Sequence, residues 1–135
     1  MSTLKVDTIT NTLGGNNITG VGIIKNFAYL EDQKVNTTNG GTLTGGTWNK
    51  RDLNTKVVDS SSMVTISNNE FTLNPGTYII KVSAPAYYVN RHKIKLTNVS
   101  TGQDVAIGTS QYVKVETGND IVTRSFLTCR VTISQ

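Results

Sequence analysis

The sequence predicts an all-β fold, an antiparallel β-sandwich, on three observations. Apolar and polar residues alternate with a period of two in several short runs, most clearly over residues 77–84 and 123–134. Clusters of glycine, proline and asparagine separate these runs. No window of about 11 residues combines helical spacing with good helix formers.

The chain divides near residue 26. Residues 1–26 hold a strand-like piece, Leu4-Lys5-Val6-Asp7-Thr8-Ile9-Thr10, then a polar turn, Gly14-Gly15-Asn16-Asn17, then an apolar piece from Ile18 to Ile24. Two such pieces are too small to bury a face alone. This N-terminal β arm is expected to need a partner, either the main domain or another chain.

Residues 27–135 carry the main domain. Phe27-Ala28-Tyr29-Leu30 opens it as a strand, followed by a glycine-rich loop with a local repeat, Asn39-Gly40-Gly41-Thr42 and Thr44-Gly45-Gly46-Thr47. The glycines permit tight bends. A phosphate cradle would need a lysine and a following helix, and neither is present. Residues 48–58 are expected as a strand with a polar outer face, and Met63-Val64-Thr65-Ile66 as a short one. Ser67-Asn68-Asn69 is a turn before Phe71-Thr72-Leu73, and Asn74-Pro75-Gly76 is a second turn. Tyr78, Ile80, Val82 and Ala84 then alternate with Thr77, Ile79, Lys81 and Ser83 in a half-buried strand. Ile94 and Leu96 alternate with Lys93, Lys95 and Thr97 in the next, and Val105-Ala106-Ile107 follows a turn at Thr101-Gly102. The last strand, 123–134, places Leu127, Cys129, Val131 and Ile133 on one face. Short strands at this spacing argue for a sandwich or jelly roll.

Composition narrows the function classes. The 135 residues fit one domain with a short appendage. Charged residues are only 16% of the chain, against about 25% in ordinary globular proteins. Thr, Ser, Asn and Gly fill the difference, as on extracellular or viral β-proteins. The net charge of +4 is scattered. Its densest stretch, Arg91-His92-Lys93-Ile94-Lys95, reads as a solvated strand end, with a polyanion contact as the alternative. Aromatics interleaved with a basic groove, the mark of nucleic-acid binding, are not seen. No apolar run approaches the ~20 residues of a membrane span. The opening Met1-Ser2-Thr3-Leu4-Lys5 lacks the pattern of a secretory signal, so synthesis in a reducing cytosol is expected.

Candidate chemistry is sparse. One histidine, His92, and one cysteine, Cys129, cannot build a zinc site, and no calcium-loop spacing occurs. Glu31 and Asp32 are adjacent and would point to opposite faces of a strand, unlike the paired acids of glycoside hydrolysis. No catalytic set, metal or cofactor is therefore expected. Cys129 reads as a buried, inert thiol at a strand position. The residues left with a functional reading are aromatic. Trp48, Tyr87, Tyr88 and Tyr112 would either pack against the core or a neighbouring subunit, or stack on a ligand such as a sugar ring.

Two sets of motifs resemble known proteins. The opening Ser2-Thr3-Leu4-Lys5-Val6-Asp7-Thr8-Ile9 resembles the starts of tail-fibre and virion structural proteins of tailed phages, especially cyanophages. The second set begins at Trp48-Asn49-Lys50-Arg51-Asp52-Leu53-Asn54 and runs through Leu73-Asn74-Pro75-Gly76-Thr77-Tyr78, Ser83-Ala84-Pro85-Ala86 and Arg91-His92-Lys93-Ile94-Lys95-Leu96. It continues with Ile107-Gly108-Thr109-Ser110 and Thr123-Arg124-Ser125-Phe126. Together these resemble a phage structural domain similar to the jelly-roll heads of tumour necrosis factor and complement. The resemblance implies a homotrimer on a virion surface, packed around a threefold axis through aromatic and apolar residues. Leu4, Val6 and Ile9 would then anchor the arm to other virion proteins or intertwine as a stem. It also implies contact with a host surface glycan. A capsid decoration protein and a monomeric carbohydrate-binding module are the alternatives. The family pattern continues beyond the strand ending at Ile133, whereas this chain stops at Gln135. Its last sheet is therefore expected to be completed by the arm, by a neighbour or by further chain.

Overall fold

A computed structural model describes residues 26–114 and 121–134. The expected arm over 1–26, with Leu4, Val6 and Ile9, lies outside the described residues apart from Asn26. The described chain is all-β, with no helix. Its strands are β1 (Ala28–Glu31), β2 (Thr55–Asp59), β3 (Val64–Ser67), β4 (Glu70–Leu73), β5 (Gly76–Tyr87), β6 (Arg91–His92), β7 (Lys95–Asn98), β8 (Gln103–Ile107), β9 (Gln111–Tyr112) and β10 (Val122–Ile133). They pair two by two, as β1–β2, β3–β4, β5–β10, β6–β9 and β7–β8. The chain divides into two compact units between Phe71 and Thr72.

In the first unit, β1 pairs antiparallel with β2, with a bulge between Tyr29 and Leu30. The expected strand over 48–58 forms only from Thr55 onward. The reason is side-chain hydrogen bonding: asparagine side chains take the backbone groups that a strand partner would use. Asn49 accepts from the Thr44 N–H at 3.1 Å and donates to the Thr44 and Thr47 carbonyls. Asn54 accepts from the Gln33 N–H at 2.8 Å and donates back to the Gln33 carbonyl at 2.9 Å, which holds the two ends of the loop together. At the end of β2, the Asp59 carboxylate accepts from the N–H groups of Met63 and Val64 at 2.8 and 3.2 Å and pairs with Lys56. The turn between β3 and β4 is Asn68-Asn69, both with positive φ (52° and 61°). That is a two-residue hairpin turn of the type whose twist matches the strands, and asparagine tolerates it better than most residues.

The second unit is organised by the ribbon of β5 and β10. Both strands have twelve residues and pair without a register shift from Tyr87↔Val122 to Gly76↔Ile133. The period-two alternation fixes which side chains share a face. One face carries Ala84, Ala86, Ser125 and Leu127, all buried, and then Tyr78, Ile80, Val82, Cys129, Val131 and Ile133, all half-buried. Pro85 is accommodated inside β5 because β10 is its only paired neighbour among the described residues, so half of its N–H groups are not needed by a ladder. The Tyr78 hydroxyl donates to the Asn74 carbonyl at 2.7 Å and closes the turn that starts β5.

The basic stretch is not one strand. It breaks at Lys93-Ile94 into β6 and β7. Ile94 is diverted: its N–H donates to the Ser125 hydroxyl at 3.0 Å, and its carbonyl accepts from Gly108 at 2.7 Å. The Ser125 hydroxyl in turn donates to the Thr109 carbonyl at 2.6 Å. Thr109 also donates its N–H to the Phe126 carbonyl and accepts from the Phe126 N–H through its own hydroxyl. Gly108 lies so close to β10 that an added Cβ would sit 2.5 Å from the Phe126 carbonyl oxygen and 2.6 Å from Ile94 Cγ2. β7 and β8 form a hairpin closed by the expected turn, where Gly102 donates to the Asn98 carbonyl at 2.8 Å with φ 68°.

Four outcomes are expected. Ser125→Ala orphans the Ile94 N–H and the Thr109 carbonyl and lowers unfolding stability by about 3 kcal/mol in urea titration; Gly108→Ala costs a similar ~3 kcal/mol through overpacking. Asn68→Val costs about 1–2 kcal/mol, whereas Asn68→Gly leaves stability within about 0.5 kcal/mol of wild type. The fourth concerns pH. Burial favours the neutral form of Asp59, but the N–H groups of Met63 and Val64 and the Lys56 ammonium outweigh it and hold the carboxyl below its ordinary range. Hydrogen bonding from Lys34 does the same for Asp52, and from Lys95 and Thr97 for Asp104. A depressed folded-state pKa contributes stability above the unfolded value near ~4 and loses it as pH falls through the lower folded value. The stability gap between wild type and Asp59→Asn should therefore be widest at neutral pH and narrow as pH falls to about 3. A gap independent of pH would show that the Asp59 charge contributes nothing.

Candidate functional site

The second unit brings chemistry together at the short β6–β9 pair, where Arg91 faces Tyr112 and His92 faces Gln111. Around it lies an open recess of about 520 Å³ lined by Arg91, His92, Lys93, Ser110, Gln111 and Tyr112. None of the lining residues is acidic. The Arg91 guanidinium sits over the Tyr112 ring, 5.0 Å from its centre. This is a cation–π pair made by direct cross-strand neighbours. The ring remains 63% exposed.

The strands behind the recess hold it in place. His92 Nε2 lies 2.7 Å from the Thr123 hydroxyl at the start of β10. The Gln111 amide donates to the Thr109 hydroxyl at 3.1 Å, which orients its carbonyl oxygen. Val113 donates to the Asn90 carbonyl at 3.0 Å and closes the pair on its other side. Two cationic side chains, one ring, one amide and one hydroxyl are a set for binding. No group of three or more His, Cys, Asp or Glu suited to a metal occurs among the described residues.

The other candidate aromatics do not line the recess. Tyr87 and Tyr88 are neighbours, with ring centres 6.1 Å apart and planes tilted by 37°. Both are exposed, so neither serves as a core residue within the chain. Tyr88 adopts φ 54° and donates its N–H to the Ile121 carbonyl at 2.8 Å, which turns the chain out of β5. Trp48 belongs to the first unit and is half exposed. Cys129 is a half-buried free thiol facing Ile80 across the ribbon.

The outer face of the ribbon is a second candidate surface. Tyr87 and Val122 form a cross-strand pair there. Phe126, which is 52% exposed, lies opposite Ser83, and Ile79 lies opposite Arg130. Arg91 stood out in the sequence as the head of the basic stretch and Gln111 did not stand out, and no sequence signal joins either to Tyr112. They stand about twenty positions apart and meet only because β6 and β9 pair.

Tyr112→Phe should keep the Arg91 contact and leave thermal stability within about 0.5 kcal/mol, whereas Tyr112→Ala removes the platform for the guanidinium and costs about 1 kcal/mol.

In comparisons with known proteins the chain matches no family model, no curated protein and no solved structure.

Proposed function

We propose that this chain is a non-enzymatic structural protein that acts as a homotrimeric surface appendage of a virus particle, a short fibre or tail-associated protein of a tailed phage. The observation that carries the self-association is the uncovered apolar surface of the β5–β10 ribbon. Among the described residues only Val64, Ala84, Ala86 and Leu127 are buried hydrophobics, and two of them are alanines. Each sheet has two strands, and a two-stranded sheet is marginal by itself in water. The conformational entropy lost on ordering such a chain is offset only by burying far more apolar area than four side chains supply. Tyr87, Val122, Phe126 and Ile79 on one face of the ribbon, and the half-buried Ile80, Val82 and Val131 on the other, are the residues that copies would cover.

Threefold rather than twofold closure, the virion setting and the jelly-roll arrangement draw their support from the resemblance to phage structural domains. Ile107-Gly108-Thr109-Ser110 and Thr123-Arg124-Ser125-Phe126 are two of the stretches that carry it. They are bonded to each other through Thr109, Ser125 and Phe126. A heterologous interface that closes at three copies buries two complementary patches on every chain.

Light scattering after size exclusion tests the reading. The expected mass is three times the 14.6 kDa chain. Phe126→Asp, on the exposed face, should lower the assembled mass at micromolar concentration and lower the thermal unfolding midpoint with it. A monomer for the wild-type chain at high micromolar concentration would overturn the proposal.

A further inference from the structure

We infer that the recess at β6–β9 binds an anionic saccharide, a sugar chain bearing carboxylate or sulfate groups. The inference rests on the appendage reading for where such a ligand is met, at a cell surface. The site itself is argued from its own geometry.

The recess has no acidic lining residue, and it gathers Arg91, His92 and Lys93 on consecutive positions. Arg91 forms no ion pair with a carboxylate among the described residues; its recorded contact is the Tyr112 ring. A guanidinium held over a ring keeps its planar edge of N–H donors for a carboxylate or sulfate, and the ring limits the freedom it would lose on binding. The neighbouring lysine adds a second positive charge. Pyranose rings present C–H groups on one face and hydroxyls at the rim. The exposed Tyr112 ring suits the first. The oriented Gln111 amide and the Ser110 hydroxyl suit the second. The recess, of about 520 Å³, is open on its outer side, so a saccharide would lie across it rather than be enclosed.

A single-stranded nucleic acid is also anionic and also stacks on rings. It needs a track of several cations and rings along the backbone. This recess offers one ring beside two cations, and its remaining groups include a hydroxyl and an amide, which favours the saccharide.

The test is titration calorimetry of the full chain with four probes: hexagalacturonate, sulfated maltohexaose, neutral maltohexaose and a short oligothymidylate. Binding of at least one acidic hexasaccharide is expected, with no binding of the neutral one. The two acidic probes distinguish carboxylate from sulfate recognition. Arg91→Ala and Tyr112→Ala should each weaken binding about tenfold, and Tyr112→Phe should keep it. Lys50→Ala removes one positive charge from the first unit, outside the recess, and should leave affinity unchanged. Failure of both acidic probes, an equal loss with Lys50→Ala, or preference for the oligothymidylate would each overturn the inference. Light scattering on the same samples separates the two readings. A monomer that binds the acidic probe through Arg91 and Tyr112 removes the trimeric appendage and leaves the site. A trimer that binds none removes the site and leaves the appendage.

Discussion

The hydroxyl of Ser125 holds together three pieces of chain that are distant in sequence. It is completely buried and fully used, accepting from the Ile94 N–H and donating to the Thr109 carbonyl. A buried hydroxyl with both roles filled is rigid, because every alternative geometry leaves a polar group without a partner in a poorly solvated place. Two further contacts depend on the same position. Thr109 engages both backbone groups of Phe126, and Gly108 is pressed against β10 closely enough to leave no room for a side chain. The end of β8 and the start of β7 are thereby tied to the middle of β10.

That tie explains the location of the recess. β9 follows Thr109 and Ser110 directly, and β6 precedes the Ile94 junction, so pinning Ile94 and Thr109 to Ser125 brings β6 and β9 side by side. The pairing then places Arg91 over Tyr112. His92 reaches back to Thr123 on the same β10 strand, two positions before Ser125. One strand thus supplies the buried anchor at Ser125, the back support of the recess at Thr123 and the exposed apolar patch at Phe126 and Val122. The period of two separates these roles: odd positions from Thr123 onward face inward, and even positions face out.

Polar bonds replace core volume elsewhere in the chain. The loop after β1 is shaped by Asn49 and Asn54, and the turn after β2 by Asp59, each using one side chain to satisfy two or three backbone groups. Such bonds define conformation well but add little net stability, since water offers the unfolded chain the same partners. A chain so composed has a specified backbone and a thin apolar interior. This combination suits a protein whose stability is completed by association, and it gives physical content to the scarcity of charge in its composition.

Much of the strand pattern was legible because it is local. Alternation alone marks the apolar faces of β5 and β10. Asn68-Asn69, Asn74-Pro75-Gly76 and Thr101-Gly102 mark turns whose backbone needs those residue types. Two local readings failed for one reason. The stretch before Thr55 and the break at Lys93-Ile94 are decided by hydrogen bonds to distant residues, Asn54 with Gln33 and Ile94 with Ser125, and alternation carries no record of a partner's position. Likewise the sequence shows Tyr112 as an aromatic in a polar stretch and Arg91 as the head of a basic one, but nothing joins them. What the sequence by itself determined is the all-β class, the two long strands and the chemistry available at each position. Only the tertiary structure decided which of those chemistries meet, because cross-strand pairing depends on where the chain is pinned, and here that point is a single buried serine.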